Sequence, residues 1–275
     1  MGVLAFLIQA LLNFSSNTLA ANNETELVKA ALISETISAP KDRGIIWVGL
    51  HQKLQPNWHT YWRYAGDSGL PTQLKWKKFK NVEIGKIHWP LPDIIKVGPL
   101  VNYGYENETL LLIPLTVKKK GPINLKAVAE WLVCREICIP QRKVLNLNLP
   151  AGNGEINPVN ASLFKKFRRL VPEELHWPSK VFSIGNQIKL IITMNMDELK
   201  RIESVHVFPG IDGLIENGEI QKFSKNKRNI IINMKAGYAI EEGLKFFEGM
   251  INIKRSHNGS LDNRSYRINK LPLLK

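Results

Sequence analysis

Through the middle of the chain apolar and polar residues alternate with a period of two, the pattern of strands buried on one side. Leu125, Ala127, Ala129 and Trp131 fall on one face of such a strand, with Lys126, Val128 and Glu130 on the other. Leu145, Leu147 and Leu149 alternate with Asn146 and Asn148 in the same way. The pattern predicts further strands over 45–50, 73–76 and 109–117, then over 187–194, 204–208, 229–234, 246–254 and 265–269. Gly, Pro and Asn turns separate them, which points to antiparallel sandwiches rather than a βαβ fold.

One stretch changes period. Leu163, Phe167 and Leu170 lie at helical spacing between Asn157-Pro158 and Pro172, predicting one short helix within 159–170. The loop-like run Ala151-Gly152-Asn153-Gly154 precedes it and marks a boundary. The expected fold class is therefore all-β, with two immunoglobulin-like β-sandwich domains at 22–150 and 179–275 joined by a linker with a short helix at 151–178.

The first residues depart from both periods. Met1 to Leu12 form an uncharged apolar run, followed by the small residues Thr18-Leu19-Ala20-Ala21. That reads as a secretory signal over 1–21, too short to span a bilayer comfortably. No Lys or Arg precedes the run, a departure from the usual signal pattern. Export predicts a periplasmic protein in an oxidising compartment, where cysteines pair. No later segment approaches an 18-residue apolar stretch, so a soluble mature chain is expected.

Composition changes little in this picture. Hydrophobic residues at 44% and charged residues at 23% are near globular averages, so each half can bury a core without disulfides. The formal net charge of +14 permits a nucleic-acid surface. However, the basic clusters at 75–80, 118–120, 165–169 and 225–228 are dispersed and partly alternate with apolar residues, as solvated faces do. No nucleic-acid partner is expected; attraction to a membrane surface, a membrane protein or an acidic partner stays open.

The candidate chemistry lies in "AEWLVCREICIP", which contains both cysteines of the chain, Cys134 and Cys138. Four positions on a straight strand span about 13 Å between Cα atoms, whereas a disulfide requires less than about 7 Å. A bond therefore demands a turn at Cys134-Arg135-Glu136-Ile137. A loop this short gains only about 2 kcal/mol from closure, so a purely structural staple is a weak use of the pair. A redox couple is the favoured reading, with two alternatives. One is Cu(I) held by the thiols with His51, His59, His88 or Met; the other is a non-redox interaction module whose bridge pins the turn.

The same segment carries a resemblance. "WLVCREICIP", with "QPNWHTYWRYAGDSGLPTQLKW", "WPLP" and "VNYGYENETLLLIPLTV" before it in that order, resembles the N-terminal periplasmic region of the DsbD family of thiol:disulfide interchange proteins, especially its ScsB-like branch. The likeness covers roughly residues 30–150, and continues more weakly through "VHVFPGIDGLIENGEIQKFS" and "FFEGMINI". It implies an immunoglobulin-like domain whose cysteine pair takes electrons from a thioredoxin-like donor and passes them to periplasmic disulfide-bearing acceptors, with no cofactor. It further implies that Cys138 forms mixed disulfides, that Cys134 resolves them, and that Asn102, Tyr103, Gly104 and Tyr105 form a cap loop over the pair. Tyr61, Trp62 and Trp131 are expected as walls beside it, and Arg135 and Glu136 as groups that tune its thiol pKa. Complete relatives continue into a multispan membrane domain and a thioredoxin-like domain. The expectation here is a separate donor polypeptide, or a chain that is part of a split or truncated product.

Overall fold

A computed structural model describes residues 26–257 and 260–275. The expected signal over 1–21 lies outside the described residues. The strands of the N-terminal part are β1 (Val28–Ser34), β2 (Gly44–Leu54), β3 (His59–Gly66), β4 (Gln73–Trp76), β5 (Val82–Ile84), β6 (Asp93–Val97), β7 (Leu100–Glu106), β8 (Glu108–Val117), β9 (Ile123–Cys134) and β10 (Cys138–Leu149). Helix α1 (Ala161–Arg168) and the two-residue β11 (Glu173–Glu174) follow. The C-terminal part contains β12 (Ser179–Ile184), β13 (Gln187–Thr193), α2 (Met196–Arg201), β14 (Ile202–Pro209), β15 (Lys222–Asn226), β16 (Asn229–Lys235), α3 (Tyr238–Glu241), β17 (Phe246–His257) and β18 (Ser260–Leu274).

The all-β expectation holds. One N-terminal sheet runs β1-β2-β8-β5 and the other β10-β9-β3-β7-β6, with β4 also pairing β9. Apolar side chains of both sheets meet between them: Leu50 and Leu111 from the first pack with Trp62, Tyr103, Ala127, Ala129 and Trp131 from the second. The predicted alternation of β9 is real, since Leu125, Ala127, Ala129 and Trp131 are all buried. Strands β1, β3, β5, β6, β7, β12 and β15, and the two-residue β11, escaped sequence reading. In β3 the residues His59 to Trp62 are all buried, so both faces are covered and the polar/apolar alternation that marks a half-buried strand is absent.

The C-terminal strands follow the order β14-β17-β18-β12-β13-β16-β15. Val207, Ile251, Ile253 and Ile268 at one end of that path pack on Val181, Leu190, Ile192, Ile230 and Ile232 at the other, so the path folds over one core.

The helix within 151–178 is docked on the N-terminal sheets. Helix α1 buries Phe164 and Phe167 on Leu110 and Leu112, the outward side of β8. Arg168 also forms a bidentate pair with Glu35 at 2.9 and 2.7 Å. The helix lies within the predicted 159–170, and its fully buried Phe164 lay outside the spacing read from sequence. The two sheet systems touch directly as well. Phe208 of β14 and Met250 of β17 belong to the same apolar cluster as Trp62 and Tyr103, with the Phe208 ring 5.2 Å from Tyr103 and 6.1 Å from Trp62.

Candidate active site

Strand β9 ends at Cys134 and β10 begins at Cys138, so the turn demanded by the spacing exists and consists of Arg135, Glu136 and Ile137. The two cysteines are register partners in the antiparallel ladder, which brings their Cα atoms to 4.1 Å and their sulfurs into a disulfide. The hairpin before and after them is regular: twelve register pairs run from Cys134↔Cys138 to Ile123↔Leu149. Long alternating arms thus hold a short redox-capable loop rigidly at their tip.

The two sulfurs meet different surroundings. Cys134 is 2% exposed and packs with Leu132, Tyr61 and Ala65. Cys138 is exposed, and so is the whole turn, with Ile137 at 66%. Period two places Cys134 with Glu130 and Leu132 on the face of β9 opposite the core, and it is buried there because Tyr61 and Ala65 of the neighbouring β3 pack against it.

Strand β3 reaches β9 through one pair, His59↔Cys134. The same face of β3 then presents Tyr61, whose hydroxyl lies 3.5 Å from Cys138 Sγ and 3.3 Å from His59 Nε2. The result is a short polar line from a buried imidazole through a phenol to the exposed sulfur. Burial pushes the His59 pKa down, so the ring stays neutral at ordinary pH. Burial pushes the Tyr61 pKa up, with a Ser68 hydrogen bond opposing it, so the phenol keeps its proton. A neutral phenol beside sulfur can donate a hydrogen bond to a thiolate that forms there.

Of the two neighbouring aromatic residues, Tyr61 lies beside the pair, whereas Trp62 does not. It points to the other face of β3, where it packs edge-on to Tyr103 and Phe208. Trp131 sits three residues before Cys134, with its indole N–H donating to Gln141 at 3.1 Å. It contributes to a groove of about 330 Å³ between Leu70 and Pro71 on one side and Leu132, Pro140 and Arg142 on the other.

The expected cap loop is a correction. Asn102, Tyr103, Gly104 and Tyr105 are not a loop but the middle of β7, paired with β3 and β6 and buried throughout. Tyr103 is directed to Phe208 and Asn217, and Tyr105 donates its hydroxyl to Pro90 O at 2.8 Å. Close contact between β3 and β7 forces this arrangement, since a Cβ at Gly104 would lie 2.1 Å from Thr60 O. The segment that lies on Tyr61 is instead Gly66 to Pro71. A Cβ at Gly69 would come within 2.2 Å of the Tyr61 ring, and the glycine's φ of +97° is one that other residues rarely adopt.

Of the two tuning candidates, Arg135 places its guanidinium 5.3 Å from the centroid of Trp58, and Glu136 is exposed in the turn. The histidines weighed as metal ligands are dispersed. His51 pairs with Glu108 at 3.0 Å, His88 stacks edge-on against Trp47, and only His59 adjoins the cysteines. Among the described residues no group of three or more His, Cys, Asp or Glu could hold a metal ion. Sequence reasoning passed over Trp58, the Gly66 to Pro71 segment and the part played by His59. The last was legible, because a residue two positions before Tyr61 in a strand shares its face.

An all-β scaffold with a short-loop disulfide at a hairpin tip, one sulfur open and the other covered, defines a class of thiol-bearing β-sandwich proteins. Residues 28–150 match the profile of the family described as thiol:disulfide interchange protein DsbD, N-terminal. Domains of the family interact in general with thioredoxin-like proteins. The N-terminal periplasmic domain of ScsB from Proteus mirabilis superposes with a TM-score of 0.65 at 16% identity, covering 91% of this chain and 96% of that one. At that identity the likeness speaks for the fold, and it extends across the C-terminal sheet.

Two further solved structures match across the chain. One combines manganese lipoxygenase of Gaeumannomyces graminis with part of zonadhesin of Komagataella pastoris, with 8% identity, TM-score 0.19, and 89% and 93% of the two chains covered. The other is the collagen-binding domain of the surface protein RspB of Erysipelothrix rhusiopathiae, with 9%, 0.18, and 88% and 96%. Both superpose too poorly to bear on function. No curated protein sequence matches the chain. Among the described residues no helix is long and apolar enough to cross a membrane.

Proposed function

We propose that this protein relays electrons by thiol–disulfide exchange in the periplasm, taking them from a thioredoxin-like donor and passing them to oxidised protein acceptors. Its cysteines lie in an N-terminal domain over 22–150, with 151–178 as connection and 179–275 as a second domain. The observation that carries this reading is the asymmetry of the pair, with Cys138 exposed and Cys134 covered. Exchange requires a partner sulfur to approach along the S–S axis, and only one end of this bond is open.

In the reducing direction, a donor thiolate attacks Cys138 Sγ, and Cys134 leaves as the thiolate. The donor's second thiolate then attacks the donor sulfur of the mixed disulfide, leaving the donor oxidised and this chain as a dithiol. In the second half, the Cys138 thiolate attacks an acceptor disulfide and expels one acceptor thiolate. Cys134, deprotonated, attacks Cys138 Sγ and releases the acceptor's second sulfur, so two electrons have moved and the disulfide is restored. Tyr61 is suited to donate a hydrogen bond to the Cys138 thiolate in both halves. The apolar groove beside Pro140 and the exposed Leu70 and Ile137 offer footing for a partner's segment next to its cysteine.

Trapping tests the assignment. With Cys134→Ser, incubation with an oxidised thioredoxin-fold protein is expected to accumulate a mixed disulfide through Cys138, visible on a non-reducing gel and abolished by dithiothreitol. Accumulation through the other cysteine, in Cys138→Ser, would reverse the roles. Absence of any adduct across donors and acceptors would remove the relay.

A further inference from the structure

The C-terminal sheet reaches the disulfide by a route separate from its apolar contact. Between β14 and β15 the chain makes a turn from Glu216 to Glu219, closed by the Glu219 N–H donating to Glu216 O at 3.2 Å. The turn is anchored in its own sheet, with the Glu216 N–H donating to Lys235 O at 3.1 Å and Lys235 paired with Glu219 at 3.0 Å.

Asn217, at its tip, uses both ends of its amide on the other half of the molecule. Its Nδ2 donates to Asp67 Oδ1 at 2.8 Å, and its Oδ1 accepts from the Tyr103 hydroxyl at 3.1 Å. Burial and the Asp67 charge hold the Tyr103 pKa high, so that hydroxyl remains a donor.

Asp67 begins the segment that lies on Tyr61. Its Oδ2 accepts from the Val101 N–H at 2.8 Å, and its own N–H donates to Val101 O at 3.0 Å. Ser68 continues the line, donating its N–H and hydroxyl to Asn102 Oδ1 at 3.0 and 3.1 Å. Gly69 then lies flat against the Tyr61 ring, and Tyr61 reaches Cys138 Sγ. A segment whose contact residue is a glycine has no side chain there to anchor it. The hydrogen bonds at Asp67 and Ser68 do that work, and one of them comes from the other sheet.

We infer that Asn217 is a positioning residue for the cysteine pair: the C-terminal sheet clamps Gly66 to Pro71 onto Tyr61, and so sets how readily Cys138 is attacked. The inference rests on the exchange reading above, and it gives the cysteine-free half of the chain a defined part in that chemistry. Loosening the clamp lets the segment lift, uncovers Tyr61 and opens a wider approach to Cys138 Sγ.

The experiment measures the rate at which dithiothreitol reduces the disulfide of the full chain, followed by thiol release. Asn217→Ala is expected to react about tenfold faster or more, the scale of one lost hydrogen bond to a charged group. Asn217→Asp, which sets two carboxylates together, is expected to react faster still. The double variant Asp67→Asn with Asn217→Asp should return to within about twofold of the starting rate. In it the amide at 67 can accept from Val101 and donate to the carboxylate at 217, which still accepts from Tyr103. Circular dichroism and thermal melting establish that each variant is folded.

Unchanged rates in both single variants, or a double variant no nearer to the starting rate than the worse single one, overturn the clamp. Transfer to a thioredoxin-fold acceptor is scored on the same proteins. Normal transfer with unmoved dithiothreitol rates removes the clamp and leaves the relay. Accelerated rates without transfer by the unaltered chain remove the relay and leave the clamp.

Discussion

The two faces of β3 make different kinds of environment from adjacent residues. One face carries His59 and Tyr61 to the cysteines, where the contacts are polar and end at an exposed sulfur. The other carries Trp62 into an aromatic contact with Tyr103 and Phe208, where the C-terminal sheet seals the strand from water. A strand buried on both sides can thus hold reactive groups on one face while the other fixes its position. The difference teaches that rigidity and reactivity here are separate properties of neighbouring side chains, so each can be removed without the other.

The largest expected effect comes from the sealed face. Trp62→Ala removes the ring that Tyr103 and Phe208 pack on, and should cost about 3–5 kcal/mol in chemical denaturation. If stability is unchanged, the aromatic contact does not hold the two sheet systems together. Phe208→Ala approaches the same contact from the C-terminal side and should cost a similar amount, about 3–5 kcal/mol. Trp62→Ala and Phe208→Ala together should fall short of the sum, because the rings share one interface.

The reactive face should respond in rate rather than stability. Tyr61→Phe keeps the ring against Gly69 and removes the hydroxyl, so the denaturation midpoint should barely move. Alkylation of Cys138 in reduced Cys134→Ser protein, followed against pH, should shift to higher pH by about one unit, the scale of one hydrogen bond to a thiolate. An unshifted profile would show that the phenol does not stabilise the thiolate.

Each face also has a histidine nearby, His59 buried and His206 partly buried, which sharpens the contrast through pH. Burial lowers the pKa of His59 beside Tyr61, and lowers that of His206, whose ring is 4.8 Å from Phe208, to about 4. In the unfolded chain both would take a proton near the ordinary histidine pKa of about 6.5. The folded state therefore binds fewer protons as pH falls below that value, and their stabilising contribution is lost progressively, for His206 down to about pH 4. Melting temperature should decline over this window, and His206→Gln should flatten the decline more than His59→Gln does. A decline that neither substitution alters would assign acid sensitivity elsewhere.

The smallest effect is expected at the exposed turn. Arg135→Ala removes a cation–π contact with Trp58 at the surface, and should change stability by about 0.5–1 kcal/mol. A much larger loss would mean that this contact, rather than the ladder of β9 and β10, holds the tip in place.

Legibility followed periodicity. Strands with one wet face, such as β9 and β13, were readable because their side chains alternate between core and solvent. Strand β3 was not, since alternation vanishes when neither face meets water. The motif order around the cysteines carried the family, and the requirement for a turn followed from chain geometry alone. The expected cap over the pair failed because a loop and a buried strand rich in tyrosine and glycine look alike in one dimension. Only partners across the sheet decide between them, and here Thr60 and Ile94 claim Tyr105 and Tyr103 as register neighbours.

By itself the chain determined its class of structure, the bend between its two cysteines and the match of residues 28–150 to a family profile, because these depend on local spacing and residue order. Tertiary structure alone decided which sulfur is open, that Tyr61 rather than Trp62 meets it, and that Asn217 donates a hydrogen bond to Asp67, 150 positions away. Those outcomes depend on which faces are covered by distant strands, and burial is a property of the assembled sheets rather than of any stretch of sequence.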